Sequence, residues 1–276
     1  MTVKEALELA VATLADAKVI GASTDAELIL AHVLHQDRVW LLAHEDDSLT
    51  QAQERLTTSL VQKRALRQPL SYVLGHREFA GLDFKIDSRA LTPRVETETI
   101  VEQVAKRAPH NATVLDVGTG SGAMAISLKY LRPDLTITAS EVSAGALALA
   151  KENAAKLLTK DQSIMFVQSD LLHAIHEPYD VIVANLPYVT RRMELLPEVQ
   201  AEPDIALFGG ADDGLNLYRK FFKQLPRHLK GGSEIWIESD PWQQPELIKL
   251  AGTTGLQVQF QDYFILGFMQ ATATAE

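Results

Sequence analysis

Residues 113–123 read Thr-Val-Leu-Asp-Val-Gly-Thr-Gly-Ser-Gly-Ala, a strand-forming stretch that runs straight into Gly118, Gly120 and Gly122 and then into a helical pattern. Glycines at this spacing let the chain turn with positive φ and bring a ligand close to the backbone, while the helix beyond presents free N–H groups. An apolar strand closed by such a turn needs neighbouring strands and covering helices, so the segment predicts an α/β fold. The rest of the C-terminal portion agrees. Apolar stretches at 135–140, 164–168, 181–184, 233–237 and 256–260 alternate with amphipathic stretches near 95–107, 122–131, 144–158, 214–229 and 244–252. Strands alternating with helices of this length predict βαβ units and a parallel sheet covered on both faces.

The first 70 or so residues have another texture. Leu7, Ala10, Val11 and Leu14 fall at the spacing that lines one helix face. Thr24 with Glu27 reads as a capping box opening a second helix, and Thr50 with Gln53 as one opening a third over 51–67, with a short apolar segment at 39–42 between them. A small helical bundle is the expectation. Pro69, Gly75, Gly81 and Pro93 then punctuate short segments, and residues 82–86 alternate as in a strand. The expected organisation is a helical domain at 1–72, a linker with a β-hairpin at 73–95, and an α/β domain at 96–276. The terminal Ala-Thr-Ala-Thr-Ala-Glu is expected to fray.

Composition removes several functions. Lys and Arg number 26 against 36 Asp and Glu, a net charge of −10, which disfavours stable nucleic-acid binding because affinity for phosphate backbones comes largely from basic side chains. The absence of cysteine excludes disulfides, thiolate zinc sites and a cysteine nucleophile. No apolar run is long enough to span a membrane, so a cytoplasmic protein is expected. His173 and His176 stand three apart without Cys or a His-Glu-x-x-His pattern, and no metal is expected. Arg55, Lys63, Arg64 and Arg67 cluster on one helix and Arg191-Arg192 lies further on; both read as solvated charge or as docking for an acidic or RNA-associated partner.

The candidate site residues gather at predicted strand ends. Gly118, Gly120 and Ala123 also satisfy the looser dinucleotide pattern, so the loop alone does not choose a cofactor. Glu141, 19 positions after Gly122 at the end of the next strand, can accept hydrogen bonds from both ribose hydroxyls of an adenosine-bearing cofactor. One strand on, Asp170 could meet an adenine amino group and Leu171 cover the ring; a solvated Asp and a core Leu fit those positions as well. Asp180 to Ala184 then ends in Asn185-Leu186-Pro187-Tyr188. The Asn185 side-chain carbonyl and the Leu186 backbone carbonyl can both accept from one NH2 group, Pro187 offers no competing N–H, and Tyr188 can pack on a planar substrate. Such an arrangement suits methylation of a planar amide or amino nitrogen, where aim rather than a strong base decides the rate.

The glycine loop, Glu141 and the Asn185 turn resemble a class I, Rossmann-like S-adenosylmethionine-dependent methyltransferase. Pro69 to Gly75, Glu78-Phe79, Gly81, Phe84 and Thr92-Pro93-Arg94-Val95-Glu96-Thr97-Glu98 are similar to the signature preceding the catalytic domain in the HemK/PrmC family. Ser23 to Leu30 and Arg38 to His44 are similar to that family's helical substrate-docking domain. Its members are protein-(glutamine-N5) methyltransferases of class I peptide chain release factors. The resemblance implies that Gly118, Thr119, Gly120, Ser121, Gly122, Glu141, Asp170, Leu171 and Asn185 hold S-adenosyl-L-methionine. It implies further that Asn185, Leu186, Pro187 and Tyr188 grip the glutamine of a Gly-Gly-Gln motif, with Asn185, Pro187 and Tyr188 catalytic.

The chain departs from the family pattern in places. Leu186 stands for the first proline of Asn-Pro-Pro-Tyr, Glu141 for a commoner Asp, and Val95 for a usual Pro, while 211–214 runs one residue long and the segment from about 255 on matches poorly. Asn-Leu-Pro-Tyr also occurs in rRNA adenine dimethyltransferases. The alternatives are therefore a glutamine methyltransferase of a ribosomal protein, an rRNA or DNA amino-methyltransferase, and a non-catalytic binding module.

Overall fold

The computed structural model describes residues 1–271, so most of the terminal segment expected to fray lies outside the described residues. Two compact units are present: Met1–His76 with Leu195–Glu202, and Arg77–Glu194 with the chain from Pro203 onward.

The first unit contains helices Val3–Asp16, Ala22–Leu34, Arg38–Ala43, Gln51–Ala65 and Leu70–Leu74. Thr2 and Thr50 cap their helices with complete capping boxes, through Glu5 and Gln53. The box expected at Thr24 is not formed. Gly21, at φ 77°, caps that helix without a side chain, Thr24 lies inside its first turn, and Glu27 instead accepts from Arg38 Nε at 2.7 Å. Ala10, Leu14, Ile29, Leu60 and Val61 form the main apolar contact of this unit, and Val3, Leu30 and Leu41 a second. Arg64, only 5% exposed in its side chain, donates to Asp25 at 2.7 Å and to Glu198 at 3.1 Å. Arg67 donates to the same Glu198 carboxylate at 3.0 Å. These two arginines are thus engaged inside the unit, which corrects their reading as solvated or docking charge, whereas Arg55 and Lys63 of the same cluster are exposed.

A hairpin, β1 (His76–Phe79, its first residue the last of the helical stretch) and β2 (Leu82–Lys85), precedes the second unit's strands β3 (Thr113–Val117), β4 (Thr136–Glu141), β5 (Ile164–Gln168), β6 (Tyr179–Ala184), β7 (Leu229–Glu238), β8 (Leu256–Gln261) and β9 (Ile265–Gln270). The larger sheet has the order β5-β4-β3-β6-β7-β9-β8. Strands β3 to β7 pair in parallel, whereas β9 lies antiparallel between β7 and β8. A wholly parallel sheet is therefore corrected to a mixed one. Ile265 to Phe268 are all buried, so β9 lacks the alternation that would mark it as a strand, and in sequence it merges with the tail. Buried Asn153 ties the hairpin to helix Ala144–Leu157, accepting from Lys85 N at 2.8 Å and donating to Lys85 O at 3.0 Å.

Register determines where the site lies. Val117 pairs with Ser140 and with Ala184, and Glu141 with Gln168, so the carboxyl ends of β3, β4, β5 and β6 finish at one edge of the sheet. Ligands of open α/β sheets bind at such an edge, where the strand order reverses about β3.

Gly267 shows how tightly the inserted strand is packed. A Cβ there would lie 2.8 Å from Trp236 Cζ3 and 3.0 Å from Phe260 Cβ, closer than real contacts. Gly267→Ala is expected to destabilise the protein by about 1–3 kcal/mol through overpacking. Urea unfolding followed by tryptophan fluorescence checks this through a lowered midpoint.

Candidate active site

The turn after β3 is shaped by three residues at positive φ, Gly118 (74°), Gly120 (57°) and Gly122 (86°). Gly118 and Thr119 donate their N–H groups to Ser140 O at 2.9 and 3.0 Å, fastening the turn to the end of β4. A Cβ on Gly122 would stand 2.7 Å from Ile126 Cδ1 and 3.2 Å from Ala150 Cβ, so helix packing as well as φ requires glycine there. A Cβ on Gly120 would meet nothing within 4 Å. Glu141, 8% exposed, accepts from Gly120 N and from Ser143 N, each at 2.9 Å. A carboxylate offers about four lone-pair sites, which leaves two for a vicinal diol.

Beneath this turn lies fully buried Asp116. Its Oδ2 accepts from Thr119 Oγ1 at 2.7 Å and from Ala125 N at 3.1 Å, while Oδ1 has no hydrogen-bond partner among the described residues. Burial, with the nearby Glu141 charge adding to it and the two donors opposing it, pushes this carboxyl up to about 7. The sequence signal was a single acidic residue inside an apolar strand.

After β5, Asp170 is exposed and Leu171 is buried with φ 51°, a left-handed conformation uncommon outside glycine. Strain of that kind clusters at functional sites. After β6, Asn185 donates Nδ2 to Thr97 Oγ1 at 3.1 Å, and Thr97 donates its hydroxyl to Glu238 Oε2 at 2.5 Å. Tyr188 donates its hydroxyl to Glu238 Oε1 at 3.1 Å. Leu186 N–H donates to the Tyr218 hydroxyl at 3.3 Å, and that hydroxyl donates to the Glu238 backbone carbonyl. Gln243 Nε2 holds Tyr188 O at 2.9 Å. The loop that follows passes so close that a Cβ on Gly209 would be 2.4 Å from Pro187 O, and one on Gly214 2.1 Å from Tyr188 O. Burial raises the Glu238 carboxyl and both tyrosine hydroxyls above their ordinary ranges.

One cavity joins these parts. Gly118 to Ser121, Glu141, Asp170, Leu171 and the turn from Asn185 to Pro187 all line it. Gly122 lies under its floor against Ile126 and Ala150, and Tyr188 packs behind the turn against the main apolar core. The Leu186 side chain is also buried, 2% exposed, with its Cδ2 3.2 Å from where a Gly118 Cβ would stand. Glu238, Tyr218 and Gln243 support the turn without having been singled out from the sequence. The only trace of Glu238 there is a carboxylate at the end of an apolar run.

The donor set fits an adenosine-bearing sulfonium. Glu141 has acceptor capacity for a ribose diol, Glu141 and Asp170 suit a cation, and the Gly120 N–H is already taken by Glu141 rather than offered to a pyrophosphate. Together with the mixed seven-stranded sheet, this cavity defines an S-adenosylmethionine-dependent methyltransferase of the Rossmann-like class. Residues 5–75 match the PrmC N-terminal domain model and residues 95–200 the Methyltransferase small domain model. A release factor glutamine methyltransferase of Geobacter sulfurreducens is 36% identical over 92% of this chain and 89% of its own length, and one of Deinococcus radiodurans 35% identical over 94% and 93%. The chain belongs to the release factor glutamine methyltransferase family. Solved structures agree on the fold: a methyltransferase from Pyrococcus furiosus (TM-score 0.54, 17% identity, 69% of this chain and 90% of that one) and a tRNA m1G37 methyltransferase from M. jannaschii (TM-score 0.51, 16%, 72% and 57%).

The raised Asp116 carboxyl carries a pH signature. A carboxyl that titrates near 7 when folded and at about 3.9 when unfolded holds its proton longer in the folded state, so its contribution to stability falls as pH rises across that window. Asp116→Asn is expected to flatten the loss of stability between about pH 4 and pH 7. Urea unfolding of both proteins at the two ends of the window measures it; equal slopes would refute the assignment.

Proposed function

We propose that this chain transfers a methyl group from S-adenosylmethionine to the side-chain N5 of the glutamine in the Gly-Gly-Gln motif of class I peptide chain release factors. The observation that carries the reading is the shared cavity, in which the Asn185 turn and the glycine turn face the same space. In this reading Gly118 to Gly122, Glu141, Asp170, Leu171 and Asn185 hold the cofactor, which supplies an electrophilic methyl group on a sulfonium. Asn185 Oδ1 and the Leu186 carbonyl accept the two N–H bonds of the substrate amide, and Pro187 keeps a competing donor out of the turn.

An amide nitrogen is a poor nucleophile because its lone pair is delocalised into the carbonyl. Two acceptors on its hydrogens enrich the nitrogen in electron density and aim it along the transfer line. The nitrogen becomes acidic as the new N–C bond forms, so a proton leaves without a strong base beside it. The Tyr188 hydroxyl is committed to Glu238, and its role is to hold the turn rather than to titrate.

The relatives' names supply the release factor as partner, and the helical unit, matched by the PrmC N-terminal domain model, is the proposed docking surface for it. A net charge of −10 favours a protein partner over stable nucleic-acid binding. Among the described residues no helix is long and apolar enough to cross a membrane, and a cytoplasmic location follows from the proposed substrate.

Mass spectrometry of a release factor incubated with the enzyme and S-adenosylmethionine is expected to find one methyl group on the Gly-Gly-Gln glutamine; an unmodified glutamine refutes the substrate. Asn185→Ala should lower transfer by about a hundredfold or more, with a much smaller loss of cofactor affinity, because the glycine turn and Glu141 remain in place. Glu141→Gln, which turns one acceptor oxygen into a donor, should weaken S-adenosylmethionine binding by roughly ten- to a hundredfold in calorimetry.

A further inference from the structure

Glu238 ends β7 at the back of the substrate turn and is 2% exposed. Two donors from other segments converge on its carboxylate: the Thr97 hydroxyl at 2.5 Å, which in turn accepts from Asn185 Nδ2, and the Tyr188 hydroxyl at 3.1 Å. Its backbone carbonyl takes a third, the Tyr218 hydroxyl, which in turn accepts the Leu186 N–H. One residue therefore holds positions 185, 186 and 188 of a four-residue turn.

The direction of these bonds matters more than their number. The two ends of an asparagine amide have nearly the same shape, so neighbours decide which end points where. A carboxylate only accepts. Thr97 must then aim its proton at Glu238, which leaves Thr97 Oγ1 as the acceptor for Asn185 Nδ2. The NH2 end of Asn185 is thereby committed to the protein, and Oδ1 is the end left for the cavity. With the amide reversed, an NH2 would confront the NH2 of the substrate and repel it. The Leu186 N–H, which a proline would lack, adds a hydrogen-bonded restraint at the residue whose carbonyl is the second acceptor.

We propose that Glu238 is a positioning residue that, through Thr97, sets Asn185 as an acceptor and so makes the turn selective for an NH2-bearing substrate. This rests on the reading of Asn185 as the acceptor of the substrate amide.

Wild type, Glu238→Gln, Thr97→Val and Thr97→Ser are compared in release-factor methylation kinetics, calorimetry with S-adenosylmethionine, thermal unfolding, and hydrogen exchange of the Asn185 side-chain NH2 by NMR. Glu238→Gln should lower kcat by about a hundredfold, leave cofactor affinity within about twofold, and keep or raise Tm because a buried charge is removed. Thr97→Val, equal in shape, should lose kcat to a similar extent, whereas Thr97→Ser, which packs less well but keeps the hydroxyl, should stay within about fivefold of wild type. A purely structural role would rank the two Thr97 variants the other way. Asn185 NH2 should exchange slowly in wild type and faster in Glu238→Gln. The proposal is overturned if Thr97→Val matches Thr97→Ser, if Glu238→Gln keeps wild-type kcat, or if the wild-type NH2 exchanges like a free amide. A protected NH2 in an enzyme that leaves the glutamine unmodified would instead refute the functional reading and leave the orientation standing.

Discussion

Two backbone hydrogen bonds, from Gly118 and Thr119 to the carbonyl of Ser140, lock the turn after β3 to the end of β4. From that lock the rest of the site takes its position. Because β3 is flanked in register by β4 and β6, any movement of its carboxyl end would shift Glu141 on one side and Asn185 on the other. The cofactor half and the substrate half of the cavity are thus held by one strand. Leu186 strengthens the link, since its side chain fills the space beside Gly118 that a larger residue there would contest.

The second constraint is the burial of charge. Asp116 and Glu238 are carboxyls almost fully removed from water, one under each half of the cavity. Burying an ionisable group is costly unless donors surround it. Asp116 is only half satisfied, and its proton affinity rises accordingly; Glu238 takes the Thr97 and Tyr188 hydroxyls, from two segments distant in sequence, and orders them. The same physical expense has different products: under the glycine turn it yields a group that titrates near neutrality, and behind the substrate turn it yields a fixed polarity.

Local chemistry explains what could be read in advance. The glycine turn, β3, β5 and helix Gln244–Gly252 were legible because φ requirements and periodicity are written into a few adjacent residues. So was the gathering of Glu141, Leu171 and Asn185 at one edge, since parallel strands must finish together. What escaped depends on contacts distant in sequence. β9 is buried on both faces and carries no alternation; Gly21 caps a helix through its backbone conformation alone; Glu238 meets Thr97 across 141 positions. Arg64 and Arg67 looked like surface charge because their partner Glu198 lies more than 130 positions away.

That partner has a further consequence. The chain leaves the α/β unit after Glu194 and rejoins it at Pro203, so the helical unit is made of two separate stretches. Although its helices up to residue 74 are synthesised before β3, the unit is not complete until residue 202 has emerged from the ribosome, when β3 to β6 have already been made. It is also not a cassette: a cut at residue 76 would strand Glu198 without its arginines, and a transplant onto another catalytic unit would have to carry both stretches.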